Sequence, residues 1–483
     1  MSISSALGNA VSGLTASSRL AETVADNLAN AMTEGFARRE ATLSSLVNGG
    51  YGNGVGIAGI SRVTNPAVTA IRRSAGADSA AANDISSAWS RLVQAFGGIG
   101  EEGSLADAAS RFENALRSAA SSPQSTAMLA EVSAAGGDYA TMINRISSQT
   151  SAVRMEADAS IARQVRQVND ALHQIESINA EIRMISLQGG NANALIDQRQ
   201  LLVDRVNTII PIRQSARDDG GIALYSRDGA VLLDGKAAEI GFDPTPVITP
   251  DMQIGGALSG LTLNDRPVAA TNGGLLAGGT LETGFTIRDT ITVSLQSSID
   301  GLAADLITRF QDSGADPTVL PGDTGLFTDD GMAFTTGNKT GLAGRIGLNP
   351  LASAETGELW RLRDGLHAAM PGDAGDATLL NAMLDTFTQT APPPAGNAVT
   401  TPVSGASFAR ELSALIHLQS ANSETSAAGI AARHDALRTA ELAESSVDSD
   451  AELQQLLEIE KIYAANARVI STVDGLMKTL LEM

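Results

Sequence analysis

The sequence has no cysteine, so it can build neither a disulfide framework nor a thiolate nucleophile or metal ligand. Aromatic residues make up only 3% of the chain. Its 43% hydrophobic content therefore packs mainly through Ala, Leu, Ile and Val, which suits closely approaching helices better than aromatic-lined ligand pockets. Histidine is scarce: His173, His367, His417 and His434 make no H-x-x-x-H spacing, so no metal ligands are expected and each reads as a helix-surface residue. Basic residues are outnumbered, 33 against 54 acidic, for a net charge of −21. With no Lys/Arg cluster to release phosphate counterions, the sequence excludes nucleic acid as a partner and disfavours an anionic membrane surface. No apolar window of about 18 residues exists, so no membrane insertion is expected. The opening MSISSALGNAVSGLTASSRL lacks the basic and continuous apolar regions of a Sec signal peptide. There is no G-x-S-x-G elbow and no P-loop, and the acidic clusters FTDDGMAF and VDSDAEL lack the ligand spacing of an EF-hand. Asp329-Asp330-Gly331 reads as a turn, and Asp448 and Asp450 as candidate helix N-caps. The expectation is a protein without catalytic, cofactor-binding or metal residues, with no cofactor, and not an enzyme.

At 483 residues the chain is too long for one compact core, and two to four domains are expected. Ile3, Leu7, Val11, Leu14, Ala21, Val24 and Leu28 recur at steps of three and four, or their multiples, and mark an N-terminal helix that should stop near Gly35. NGGYGNGVGIAGISRV then contains Gly54, Gly56 and Gly59 in G-x-G-x-x-G spacing. A dinucleotide loop needs a strand before that motif and a helix opening inside it. Here turn formers precede it and Val55, Ile57, Ile60 and Val63 read as strand after it, so it is a glycine-loosened extended segment. Helices are expected over about 79–96, 104–121 and 124–187, with Gly136-Gly137 a candidate break in the last. A short helix, ALIDQRQLLVDRVNTI, ends at Pro211, and a hairpin turns at Arg227-Asp228-Gly229. Strand and loop are expected over 240–283, helices at about 285–312, 351–367 and 376–388, and a stiff linker at APPPAGNAVTTPVSG. Helix returns from Ser407 to Met483 with an interruption around 444–450.

The ends of the chain carry the most information. Leu456, Ile459, Tyr463, Ile470, Val473, Met477 and Leu480 form a narrow apolar seam, and Asn466 is planted inside it. Seams of this width call for another helix. An intramolecular hairpin of the two terminal helices would satisfy both seams, whereas packing of that pair against neighbouring subunits would build an assembly. A polar residue at such a position can set register and partner number.

These ends resemble those of the bacterial flagellar axial proteins. VADNLANAMTEGFARRE (24–40) is similar to their N-terminal motif A-N-N-x-A-N-x-x-T-x-G-Y, matched by Asn27, Asn30, Thr33 and Gly35, with Phe36 for the usual Tyr and Asp26 for a common Asn. YAANARVISTVDGLMKTLL (463–481) is similar to their C-terminal motif. Within the group, NALIDQRQLLVDRVNTIIPIRQSARDDGGIALYSRDGAVLLDG (193–235) resembles the D-Q-R segment and following hairpin of the hook-associated protein 1 (FlgK) family. GGLLAGGTLETGFTIRDTI (273–291) resembles that family's stretch leading to Arg288-Asp289, whereas SSVDSDAEL departs from its fuller acidic entry.

The resemblance implies an extracellular structural role at the hook–filament junction of the flagellum, with export that uses no cleavable signal peptide. Its implied partners are the chain itself in a ring or helical layer, the flagellar hook protein, the second junction protein, and an export chaperone that holds the C-terminal helices. The terminal helices are implied to be disordered in a free monomer and to fold on assembly. The expected fold is α+β, predominantly α: a discontinuous helical domain built from both chain ends, with a β-rich domain inserted in the middle. In residues, 1–40 and 441–483 are expected as coiled-coil assembly helices, 41–240 and 396–440 as a helical bundle with a β-hairpin, and 241–395 as an inserted mixed domain. The expected assembly interface is Leu7, Val11, Leu14, Val24, Asn27, Leu28 and Asn30 with Leu456, Ile459, Tyr463, Asn466, Ile470, Val473, Met477 and Leu480. Other flagellar axial proteins (the hook subunit or the second junction protein) and a secreted coiled-coil effector are the competing assignments.

Overall fold

A computed structural model describes residues 3–48, 51–271, 273–312, 314–356 and 358–482. Helix α1 (Ile3–Ala29) leads into an antiparallel hairpin of β1 (Arg39–Asn48) and β2 (Tyr51–Arg62). Four helices follow, α2 (Pro66–Phe96), α3 (Leu105–Ser121), α4 (Thr126–Leu187) and α5 (Asn193–Ile209). Strands β3 (Ile212–Ala216), β4 (Ile222–Ser226), β5 (Val231–Asp234) and β6 (Lys236–Ala237) make an antiparallel sheet in that order. A second sheet holds β7 (Ile240–Gly241), β8 (Leu261–Leu263) and β9 (Arg266–Val268). Helix α6 (Gly279–Thr286) runs through a π-helical turn at Ile287–Ile291 into α7 (Thr292–Gln311). Strands β10 (Phe327–Asp329) and β11 (Ile346–Leu348) pair antiparallel, and helices α8 (Arg361–Asp364), α9 (Thr378–Thr388), α10 (Gly405–Ser445) and α11 (Ser449–Leu481) complete the chain. The architecture is predominantly helical, with helices at both ends and small antiparallel sheets in the middle.

Some sequence expectations need correction. Helix α1 ends at Ala29, before Gly35, and tight turns over Asn30–Phe36 carry the chain onward. The segment 351–367 is not one helix. It holds 3-10 turns at Pro350–Ala352 and Ala354–Thr356 and the four-residue α8, which stops at Gly365 with φ 116°. His367 consequently sits in a turn, its Nε2 2.9 Å from the Thr324 carbonyl oxygen, and not on a helix. Gly136-Gly137 does not break α4, and Gly136 sits where the helix is closely packed. A Cβ on Gly136 would stand 3.2 Å from Leu348 and 3.3 Å from Phe112, so the missing atom lets the helix pack closely.

The chain divides into two compact units. One comprises Asp78–Arg166 and Glu239–Ile430. Its core centres on Phe112, whose ring lies edge-on to Phe310, Phe327 and Phe387 at 5.8, 5.5 and 5.2 Å. Helix α3 delivers Phe112 with Leu105, Ala108, Ala109, Ala115, Leu116 and Ala119 on one buried face, and Ser104 caps its start. At the π turn, the fully buried Arg288 pairs with Asp158 at 2.6 Å, and Arg154 donates to three backbone carbonyls, those of Arg288, Thr249 and Met252. Those bonds offset the desolvation of charges that would otherwise cost several kcal/mol each.

The other unit comprises Met1–Ala77, Gln167–Ala238 and Ala431–Met483. It joins the two chain ends, the β1–β2 hairpin, α5 and the four-stranded sheet. The turn at Arg227-Asp228-Gly229 connects β4 and β5, with Gly229 at φ 97°.

Candidate assembly interface

The two terminal helices pair within one chain, the first of the arrangements open to the sequence. Helix α11 begins at Asp448, whose carboxylate accepts from the amides of Asp450 and Ala451 at 3.0 and 3.2 Å. Asp448 is thus the cap, and Asp450 lies in the first turn, where negative charge also suits the helix dipole. From there the residues of α11 buried against the fold are Glu452, Ile459 and Val473, on a seven-residue repeat whose other positions are the half-buried Asn466 and the exposed Leu480. The answering face of α1 is made of small residues: Ala10, Ala16, Ser17 and Thr23 are buried, with Val24 and Asn27 toward the end. Gly13 lies opposite Asn466, and a Cβ there would stand 2.7 Å from its Nδ2. The Asn466 amide donates to the Ile462 carbonyl of its own helix at 3.1 Å.

Each expected interface residue can now be placed. Val24, Asn27, Ile459 and Val473 are buried. Leu7, Leu14, Leu28, Asn30, Leu456, Asn466 and Ile470 are half-buried along the flanks of the pair. Val11, Tyr463, Met477 and Leu480 are exposed, the last at 59%. On the opposite flank of α11, Ile462, Val469 and Leu476 are exposed too, again seven residues apart. The α1–α11 contact therefore covers the middle of the apolar stripe on α11 and leaves its two borders open. Full burial of a Leu, Met or Val side chain stabilises by about 1.5–3 kcal/mol, so these borders hold a large unrealised gain.

A polar lock holds the pair to the hairpin. The Asn27 side chain donates to the Arg39 carbonyl at 2.9 Å and accepts from the Arg39 amide at 2.8 Å, as a neighbouring strand would. The same Asn27 amide donates to Glu452 at 3.1 Å, and Arg38 reaches the other oxygen of Glu452 at 3.5 Å. Glu452 is 1% exposed, so its charge is held only by these partners and by its place in the first turn of α11. Arg39 pairs with Asp26 and with Asp197, and Arg62 donates to Asp197 at 2.6 Å. Asn30 donates to the Asp26 carbonyl at 2.9 Å, closing the end of α1.

Helix α5 is the organiser behind the lock. Asp197 takes the two hairpin arginines, and one heptad on Asp204 takes Arg72 at 2.9 Å and Arg73 at 2.5 Å. Arg72 also meets Glu441 of α10 at 2.7 Å. Burial pushes the Glu441 carboxyl up, but hydrogen bonds from Arg72 and Thr69 and the charges of Arg72 and Arg73 outweigh it, and the group titrates below its ordinary value. Burial, then the neighbouring Arg62 charge, lowers the Arg199 guanidinium to about 10. Arg199 donates to Asn179 and to the Gly220 carbonyl, tying α5 to α4 and to the loop before β4. The hairpin is seated on α1 through Gly54, at φ 94°, where a Cβ would overlap the Ser12 hydroxyl, and through the Val55 amide, which donates to Ser12 at 3.1 Å.

Sequence periodicity found the α11 seam but missed the small-residue face of α1, because Ala, Gly, Ser and Thr give little hydrophobic signal. Glu452, Arg39 and Arg62 were likewise not singled out, and Asp197 entered only as the first residue of the D-Q-R segment. The one available clue was that Glu452 falls seven residues before Ile459, on the buried repeat. A shallow open groove beside α1 is lined by Arg19, Glu22, Asp26, Arg39 and Asn191 among others, and its charges are paired with one another.

Residues 89–327 match the family model described as the flagellar hook-associated protein FlgK helical domain. Residues 440–483 match that of the flagellar basal body rod FlgEFG protein C-terminal. The chain is 28% identical over 250 residues to flagellar hook-associated protein 1 of Salmonella typhimurium, covering 49% of this chain and 44% of that one. It is 25% identical over 233 residues to the protein of the same name from Bacillus subtilis, covering 46% of each. The matched region is thus less than half the length of these curated relatives. The flagellar hook junction protein FlgK from Burkholderia pseudomallei superposes with a TM-score of 0.43 at 17% identity, over 54% of this chain and 46% of that one.

Proposed function

We propose, for a chain that belongs to the FlgK family of flagellar hook-associated proteins, a structural role at the junction between hook and filament. The observation that carries this reading is the half-covered seam of α11. The α1–α11 pair is fixed in register by Asn27 and Glu452, yet leaves apolar borders on both sides that suit lateral neighbours. The neighbours are further copies of the chain in a ring or helical layer, with the hook protein on one side of that layer and the second junction protein on the other. The expected assembly residues, from Leu7 to Asn30 and from Leu456 to Leu480, act here as two flanks of one paired unit. The remaining helices and the inserted sheets form the body that the terminal pair anchors. Before assembly the same exposed flank of α11 suits an export chaperone. The role is mechanical, with no chemical step.

The test is deletion of the gene in its own bacterium, scored by motility and electron microscopy of the flagella. Bare hooks with filament subunit lost to the medium are expected. Intact filaments on normal hooks would overturn the junction role.

A further inference from the structure

We infer that the outer edge of β1 is a lateral contact for a second copy of this chain, separate from the terminal-helix seam. The inference rests on the assembly reading above and adds a surface to it. Among the described residues β1 and β2 form a sheet of two strands, so each has an outward edge. The edge of β2 is partly occupied, since the Val55 amide donates to Ser12 and the Ile60 carbonyl accepts from Asn193 at 2.9 Å. Among the described residues the edge of β1 is occupied at its base, where Asn27 takes both backbone groups of Arg39. Beyond that point Leu43, Leu46 and Val47 are exposed, Val47 at 67%.

Exposed edges that must stay single are guarded by charge, proline, shortness or bulges that twist the edge away. This strand is ten residues long, and between Ala41 and Ser61 the sequence has no charged residue and no proline. Arg39 and Glu40 open the strand and two register shifts bend it, but from Ala41 onward no charge repels an incoming strand. The occupant follows from charge. Copies of a chain carrying −21 repel one another, and they approach most easily where neither bears charge. The hairpin is such a surface. It is also continuous with another, because the Gly54–Ser12 seat joins it to the part of α1 before Arg19, which has no charged side chain. Strand addition supplies main-chain hydrogen bonds, and the apolar side chains supply burial.

The absence of charge makes the test direct. The photoreactive residue p-benzoylphenylalanine is placed at Val47, at Leu43 or, as a reference, at Leu480, in cells expressing the full chain with two different epitope tags. Flagella are isolated and irradiated. The expected product from Val47 and Leu43 is a species of two chains carrying both tags. Adducts from the hairpin to a different protein alone would overturn the inference, as would their absence while Leu480 still gives adducts. A chain missing from the isolated flagella would overturn the junction role and this inference with it. In parallel, Leu43→Lys with Val47→Lys should leave the thermal midpoint of the soluble chain unchanged and lower its incorporation about tenfold or more. Unchanged incorporation of that variant would also overturn the inference.

Discussion

Gly13 of α1 lies beneath Asn466 of α11, so close that a methyl group on the glycine would stand 2.7 Å from the amide nitrogen. The polar residue planted in an apolar seam thus marks a point of close approach between the two chain ends. Its amide bonds to its own helix, and its partner across the interface is the absence of a side chain. Gly13→Ala gains about 1 kcal/mol of helix propensity but meets an overpacking cost of about 1–3 kcal/mol. The two effects separate in a double-mutant cycle with Asn466→Ala, measured by urea unfolding. The expected coupling is about 1 kcal/mol or more, with Gly13→Ala becoming stabilising once Asn466 is removed. Additive effects would mean that the two helices do not approach as described.

Asn27→Ala should be among the most damaging single changes at the chain ends. It removes two bonds to Arg39 and leaves the buried Glu452 with Arg38 alone. The expected loss is about 2–4 kcal/mol. Hydrogen exchange locates the effect, because the Arg39 amide should lose protection while amides of α3 keep theirs. Equal protection of Arg39 in both proteins would remove the lock.

Arg288→Met tests the other unit. It strips the buried Asp158 of its ion-pair partner and leaves it the Thr245 amide, at 2.7 Å, and the nearby charge of Arg154. A loss of about 3–5 kcal/mol is expected by chemical denaturation, against about 1.5 kcal/mol or less for an isosteric change that breaks no pair.

The Glu441 carboxyl is depressed in the folded chain relative to its ordinary value of 4.5. A depressed acid contributes stability that is fully present above its unfolded value and is lost as pH falls through its folded value. Glu441→Gln should therefore be less stable than the parent at pH 7, with the gap closing below about pH 4. Urea midpoints of the two proteins across that range measure it. A gap that does not change with pH would show that Glu441 acts through packing alone.

Leu456, Ile470 and Leu480 lie along the half-covered stripe, from half-buried to exposed. Changing all three to Asp should leave the secondary structure and main unfolding transition of the body intact while abolishing incorporation into flagella. Normal incorporation would mean that the borders of α11 are not the contact surface.

The helices were largely legible before the structure was known. The expected α3, α5 and α9 match within a few residues, and the break near Asp448 falls where its cap predicts. These elements declare themselves through local signals: capping residues, turn formers and the 3.6-residue recurrence of Leu, Ile and Val. Strand β1 was not legible, because REATLSSLVN has no clean alternation and owes its conformation to pairing with β2. The single helix expected over 351–367 was wrong for a related reason. Asn349 caps a 3-10 turn at Pro350, and Gly365 ends α8 in a backbone conformation that a side chain would oppose.

Sequence alone was enough for the helical class, the seam on α11 and the kinship of the two chain ends, since each is written in residues close together along the chain. It could not say that α1 would answer that seam with Ala10, Gly13, Ala16 and Ser17 and turn Leu7, Val11 and Leu14 toward the flank. Nor could it bring Asn27 to Glu452, which are 425 residues apart. Those outcomes belong to tertiary packing. Two helices approach most closely where their side chains are smallest, and a buried carboxylate persists only where the fold assembles donors around it.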